Sequence, residues 1–415
     1  MIWRFLTAAL LAAWILELTH CPAAEESAEP AASGTLEPSI EYVPLDAPEG
    51  MSQAVIVQGG PVVYTRQLLP LDPAGKLVGE NAVDEQIEQV LSNLDTVLKD
   101  CGSGLDKLVR LNVYALAPTT VTRVRELLSK RLAPSVRPAI SPVQTPLPHR
   151  GALVALDAVA VGSDRDKGVN RKRCEAVSGE AGLADAAVLP AGGIAYLSGV
   201  PDDGGLTESA VVRSMSTLMR TLGHLKLSPE QVAHVKIFLR PMDSADEVLR
   251  KVQKFFPDQM MPPVVFVEWL AAVPIEIEMV AQLPLSDESD EPVEFFTPPE
   301  FRPSHTFSRV ALLKTDRQIY ISGQYAREPS RGEPQAIFVF EQLQEILDKT
   351  GSDMRHLVKA TYYVSDDDAA RWVDRTRPNV FDPDRPPAAS KVMVHAVGME
   401  GRTMTIDMIA VESGK

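Results

Sequence analysis

The 415-residue chain has only three cysteines, four tryptophans and 6% aromatic residues. Three cysteines make no disulfide framework, so the fold must rest on hydrophobic cores. No His-Glu-x-x-His, paired Cys-x-x-Cys, P-loop or nucleophile elbow is present, and the seven histidines are scattered without metal spacing. These absences exclude the motif-bearing zinc peptidases, nucleotide hydrolases and α/β hydrolases, and neither metal nor cofactor is expected. Positive charge is also short: 41 Lys and Arg against 56 Asp and Glu give a net charge of -15, which repels nucleic acid over most of the surface. The one long apolar run, FLTAALLAAWIL from Phe5, is too short to span a bilayer stably.

That run, with Arg4 ahead of it and CPAA behind, reads as a secretory signal over residues 1–24, cleaved after Ala24. A lipid anchor on Cys21 is less favoured, because His20 stands where a small residue is expected. Removal takes away Arg4 and Glu17, one charge of each sign, and leaves the net charge at -15. The expected compartment is extracytoplasmic, secreted or periplasmic, where Cys101 and Cys174 could oxidise; the sequence leaves open whether they pair. Residues 25–44 begin acidic, small and Pro-containing, and read as a disordered leader.

The rest of the chain repeats itself. An amphipathic helix, a short loop and a β-rich run recur in NLDTVLKDCGSGLDKLVRLNVYAL from Asn93, STLMRTLGHLKLSPEQVAHVKIFL from Ser216 and EQLQEILDKTGSDMRHLVKATYYV from Glu341. With Leu94, Leu218 and Leu343 aligned, the closing aromatics Tyr114, Phe238 and Tyr363 each lie 20 residues on. Apolar strands precede each copy (VVYTRQ, IAYLSGV, IYISGQY) and alternating ones close it (LVALDAVAV, IEIEMVAQL, MTIDMIAV), a period-two pattern that marks half-buried sheet. In the first copy Ile87, Val90, Leu91, Leu94, Val97 and Leu98 form one helical stripe, and Gly102, Gly223 and Gly351 read as helix stops. A second helix is predicted in VTRVRELLSKRL, SADEVLRKVQKFF and AARWVDRTR.

Composition shifts divide the chain into domains at 45–163, 175–285 and 305–413. The basic segment 162–174 reads as a solvated linker rather than a nucleic acid patch. The acidic, Pro-rich segment 286–304 reads as a second linker, anchored on a neighbouring domain by Phe295, Phe296 and Phe301.

The unit resembles the Rid family of reactive intermediate deaminases, also called YjgF-like or endoribonuclease L-PSP proteins. The resemblance is carried in the third copy by YISGQ at Tyr320, LVKATYYV at Leu357, RPPAAS at Arg385 and TIDMIAV at Thr405, and by looser versions in the other two. It implies an α+β fold of the YjgF/chorismate-mutase type. Such proteins usually form homotrimers around a barrel-like sheet core with small-molecule clefts between subunits, so three fused copies imply a monomeric intrachain pseudo-trimer. Ring closure would bury the sheet edges that each unit alone would expose.

The resemblance also implies hydrolysis of enamines and imines, with a carboxylate-binding arginine before the last strand and a glutamate on that strand. Here the arginine position is held by Ile140, Val264 and Ala389, and the glutamate position by Ala155, Glu276 and Thr405. Losing a bidentate charged contact costs about 2 to 5 kcal/mol, so weak or lost deaminase activity and retained binding of a small metabolite are expected. Glu276 is the catalytic candidate, and Arg137 and Lys391 are basic residues that could serve the clefts from displaced positions. Arg110, His234 and Lys359 share an equivalent place on the central strand and suggest a common polar or interface face. The alternatives are an active deaminase using Glu276 with a displaced basic residue, and an endoribonuclease, which the net charge opposes.

Overall fold

The computed structural model describes residues 38–163, 166–202, 208–257, 259–284 and 291–414. The signal segment, residues 25–37 of the leader and residues 286–290 of the acidic linker lie outside the described residues. Three successive units follow one element order. The first comprises β1 (Ser39–Val43), β2 (Ala54–Gln58), β3 (Val62–Thr65), α1 (Val83–Asp100), β4 (Leu108–Ala115), α2 (Pro118–Arg131), β5 (Ala139–Gln144) and β6 (Val154–Val161). The second comprises β7 (Asn170–Lys172), β8 (Ala186–Leu189), β9 (Gly193–Asp202), α3 (Glu208–His224), β10 (Val232–Leu239), α4 (Ala245–Gln253), β11 (Val264–Glu268) and β12 (Ile275–Leu283). The third comprises β13 (Val293–Phe296), β14 (Val310–Leu313), β15 (Arg317–Gln324), α5 (Glu333–Lys349), β16 (Leu357–Val364), α6 (Asp367–Val380), β17 (Ala388–Met393) and β18 (Met404–Ala410).

The strands make three six-stranded sheets, ordered β5-β4-β6-β3-β8-β7, β11-β10-β12-β9-β14-β13 and β17-β16-β18-β15-β2-β1. Each sheet joins four strands of one unit to the first two of another: β7 and β8 enter the first unit's sheet, β13 and β14 the second's, β1 and β2 the third's. The exchange is cyclic, so the chain closes on itself. No sheet is a continuous barrel, but each uses donated strands to cover an edge that would otherwise present unpaired backbone groups.

Packing follows the same arithmetic. The stripe from Ile87 to Leu98 is fully buried against the first sheet, and each such leucine contributes about 1.5–3 kcal/mol by leaving water. The three units have separate cores between sheet and helices. Two further clusters draw on all three units, one around Tyr64, Tyr196 and Tyr320 and one around Tyr114, Phe238 and Tyr363. In the first of these, Tyr64 and Tyr196 hydroxyls lie 3.3 Å apart, and the Tyr196 and Tyr320 hydroxyls both donate to Gln318 Oε1, at 3.1 and 2.9 Å. These are the tyrosines of VVYTRQ, IAYLSGV and IYISGQY.

Four readings of the sequence change. Gly102 and Gly351 do turn the chain at positive φ, but Gly223 lies inside α3, and the left-handed residue there is Lys226 at φ 58°. The basic linker is solvated only in part: residues 163 and 166–168 are exposed, but Asn170–Lys172 form β7. Arg171 reaches into the second unit and donates to the carbonyls of Val232 and Met260, and Arg173 donates to the Asp185 carboxylate. Guanidinium groups with five donors suit this task of tying a strand to carbonyls. Strand β1 carries order into the end of the segment read as a leader. Cys101 and Cys174 are both buried in the first unit's core. The aromatics of the acidic linker are anchored as expected: Phe295 lies under Arg385, Phe296 against His224 and Phe301 under Arg309.

Candidate functional site

Sheet register fixes which residues are equivalent. In each unit the central strand pairs in parallel with the next, matching Leu111 to Ile140, Val235 to Val264 and Ala360 to Ala389. Ile140, Val264 and Ala389 therefore share one structural position, each at a boundary between units, and the three boundaries differ chemically.

At the boundary of the second and third units, the Ala389 N–H donates to Ser198 Oγ at 2.7 Å, and Ser198 donates to the Ser308 carbonyl. Glu278 is paired with Lys359 at 2.6 Å and accepts from Ser390. Glu276 is buried at 7% exposure with its Oε1 unpartnered. Burial, and next the neighbouring Glu278, push its carboxyl up to about 7. Opposite it stands Arg309, whose guanidinium lies 4.3 Å from the Phe301 ring centre and 5.1 Å from that of Phe307. Gly199 makes room, since a Cβ there would meet Glu276 Oε1 at 1.9 Å.

At the boundary of the first and second units, side-chain volume has moved across the cleft. Gln67 takes the place of Gly199 and Ala155 the place of Glu276. The Gln67 amide donates to the Phe266 carbonyl at 3.1 Å and accepts from its N–H at 3.3 Å, which plugs the position beside Val264.

At the boundary of the third and first units, the Ile140 N–H donates to Ser322 Oγ at 2.9 Å, and Ser322 donates to the Ser52 carbonyl at 2.6 Å. Here a cavity of about 360 Å³ opens, lined among others by Arg125, Ile140, Gly323, Tyr325 and Met399. Arg125, from α2, is half-buried, its Nε is enclosed and unpartnered, and among the described residues it makes no ion pair. Pro118 and Thr119, in the first turn of α2, also line the cavity. That turn has no acidic residue and no side-chain cap, so its positive dipole end is unopposed. Of the other charged groups around the cavity, Asp46 is paired with Arg327 at 2.5 Å, and Glu400 is exposed at the rim.

The candidates read from sequence are thus scattered. Glu276 stands at the second boundary and does not line the cavity; Ile140 lines it. Val264 is beside the plug and Ala389 backs the Glu276 cleft. Arg137 bonds back to the Pro134 carbonyl at 3.1 Å, and Lys391 is spent on Asp374 of α6 at 2.5 Å. Arg125 went unread in the sequence. It follows Val121 by one turn, at the border of the buried stripe Val121, Val124, Leu127 and Leu128, where a long side chain can reach past the core. Arg110 and Lys359 do face a neighbouring unit, pairing with Asp407 at 3.3 Å and Glu278 at 2.6 Å. His234 is half-buried, and loss of hydration lowers its pKa to about 4.

The family model of endoribonuclease L-PSP matches residues 44–162 and 298–412. The chain belongs to that family. Individual relatives match about the length of one unit. Protein DfrA of Myxococcus xanthus is 34% identical over 110 residues, 26% of this chain and 83% of the relative. A RutC family protein of Synechocystis is 29% identical over 123 residues, 29% of this chain and 94% of the relative. Among solved structures, yeast Mmf1 is 23% identical and covers 30% of this chain and 100% of its own, with a TM-score of 0.24. No helix among the described residues is long and apolar enough to cross a membrane.

Proposed function

We propose that the protein binds a small carboxylate in the cleft between its third and first units, with Arg125 as the cation, and that it acts outside the cytoplasm. The observation that carries the binding reading is Arg125, half-buried on the cavity wall with its Nε enclosed and unpartnered, beside the Ile140 position where the family arginine is missing. A buried N–H without an acceptor is costly, and a carboxylate in the cavity would satisfy it through a charge-assisted pair. Thr405 holds the family's glutamate position at this boundary, and the carboxylates around the cavity are either paired, as Asp46 is with Arg327, or exposed, as Glu400 is, so retention rather than turnover follows. Location rests on the N-terminal segment, and sequencing the mature N-terminus of exported protein tests it.

Titration calorimetry with small carboxylates tests the binding. The Arg125→Ala variant is expected to weaken binding about tenfold or more, the worth of a hydrogen bond to a charged group; unchanged affinity in that variant would sink the proposal. One observation favours a second reading, deamination at the other cleft: Glu276, raised to about 7, is poised as an acid or base near neutrality. Ammonia release from 2-aminoacrylate that disappears in Glu276→Gln would establish it. The endoribonuclease reading finds no support in a net charge of -15.

A further inference from the structure

We propose that the ligand of the Arg125 cavity is an amphipathic monocarboxylate, a single anionic head on an apolar body of about six to nine carbons. This rests on the carboxylate reading above and adds the chemistry of the remainder of the ligand. The positive features are the Arg125 guanidinium and the first turn of α2 at Pro118 and Thr119, with Arg327 exposed and held by Asp46. Elsewhere the lining has an apolar set, Met51, Val121, Ile140, Pro142 and Met399, beside the side-chain amides of Gln53, Gln324 and Gln342.

A second charge on the ligand has no counter-ion inside. Asp46 is held by Arg327 and also accepts from Gln53 at 3.0 Å, and Glu400 is turned to solvent. The replacement of arginine by Ile140 has the same direction: it removes a charge and adds apolar wall. A cavity of about 360 Å³ also exceeds what a three-carbon acid fills, and lies in the range of sites that enclose larger ligands. Two flexible methionines can close on bodies of different shape.

Calorimetry on the full mature chain with propanoate, octanoate, 3-phenylpropanoate and octan-1-ol separates the outcomes. Each buried methylene should tighten binding roughly fourfold, so octanoate is expected to bind at least about fiftyfold more tightly than propanoate, with octan-1-ol weaker than octanoate. Arg125→Met should weaken octanoate and spare octan-1-ol, while Met399→Gln should weaken octanoate and 3-phenylpropanoate and spare propanoate. Melting curves check that both variants are folded. Equal affinity for propanoate and octanoate, both dependent on Arg125, would overturn the amphipathic class and leave carboxylate binding intact. No binding of any acid, or binding indifferent to Arg125, would overturn the carboxylate reading itself.

Discussion

Lys236 of the second unit donates a 2.9 Å hydrogen bond to the Tyr363 hydroxyl of the third. Its ammonium stands 5.8, 5.9 and 5.7 Å from the ring centres of Tyr114, Phe238 and Tyr363, one aromatic from each unit. Those rings are equivalent by sequence spacing, so the ammonium sits where a pseudo-threefold axis would pass. Three identical subunits would bring three ammonium groups to that place; a fused chain can supply one. The counterparts of Lys236 are Asn112 and Thr361, and neither adds charge. Around it the equivalent carboxylates Asp157, Glu278 and Asp407 are balanced by Lys236, Lys359 and Arg110, with neutral His234 in the remaining basic position.

Lys236 is therefore expected to be a keystone of stability. Burial alone would lower its pKa, but Tyr363 and the carboxylates Asp157, Glu278 and Asp407 hold it above the ordinary lysine value. Lys236→Met preserves most of the volume and leaves the acids uncompensated, which should cost about 3 to 5 kcal/mol. Urea unfolding at neutral pH measures the loss. A cost below 1 kcal/mol would show that the acids do not need this cation.

The repeat was legible because helix and strand periodicities survive when side chains change: Leu94, Leu218 and Leu343 keep their spacing and their burial. The cyclic strand exchange was not legible, since β2, β8 and β14 are short apolar runs that could pair with any edge, and partner choice is set in three dimensions. The site was half legible. Alignment located Ile140, Val264 and Ala389, but the alternation that favoured Lys391 fixes only a face, and Asp374 on that same face captured the amine. Arg125 was missed because nothing in a helix's own pattern distinguishes a flanking arginine in water from one leaning into a neighbour.

Two groups, Glu276 and His234, give opposite pH responses. Glu276 has a folded pKa raised to about 7, so the native state holds its proton longer than the unfolded chain, and stability falls as pH rises from about 4.5 to 7. His234 is lowered to about 4, so stability is lost as pH falls from about 6.5 to 4. Over the shared window the two slopes oppose each other. Glu276→Gln is expected to raise stability at pH 8 by about 2–3 kcal/mol relative to its effect at pH 4, and His234→Gln to flatten the acid limb. Unfolding curves at pH 4, 6 and 8 read both; a Glu276→Gln offset independent of pH would refute the assignment.

Gly199 and Glu276 should be strongly coupled. A methyl at residue 199 would fall on the carboxylate, 1.9 Å from Oε1 and 2.4 Å from its carbon. Gly199→Ala alone should cost roughly 1–3 kcal/mol, the usual range for overpacking. In a Glu276→Ala background the same substitution should cost much less, because the space is free, as Ala155 leaves space for Gln67 in the first unit. A double-mutant cycle with coupling under about 0.5 kcal/mol would show that the carboxylate simply swings away.

Ring closure itself can be tested at β2. Five residues of this strand, Ala54 to Gln58, cover the edge of β15 from Ile321 to Arg317, and Val55 and Val57 enter the cluster shared by all three units. A chain starting at Gly60 would keep every residue of the third unit yet expose the β15 edge and part of that shared core. An uncovered apolar edge templates pairing with another copy, so light scattering should show association, and the melting temperature should drop. Adding a synthetic peptide of residues 38–59 should reverse both effects, since it restores the missing strands without a covalent link. Were the shortened chain to stay monodisperse with an unchanged melt, the donated strands would be ornament rather than closure, and the three clefts would lose the framework that holds their walls in place.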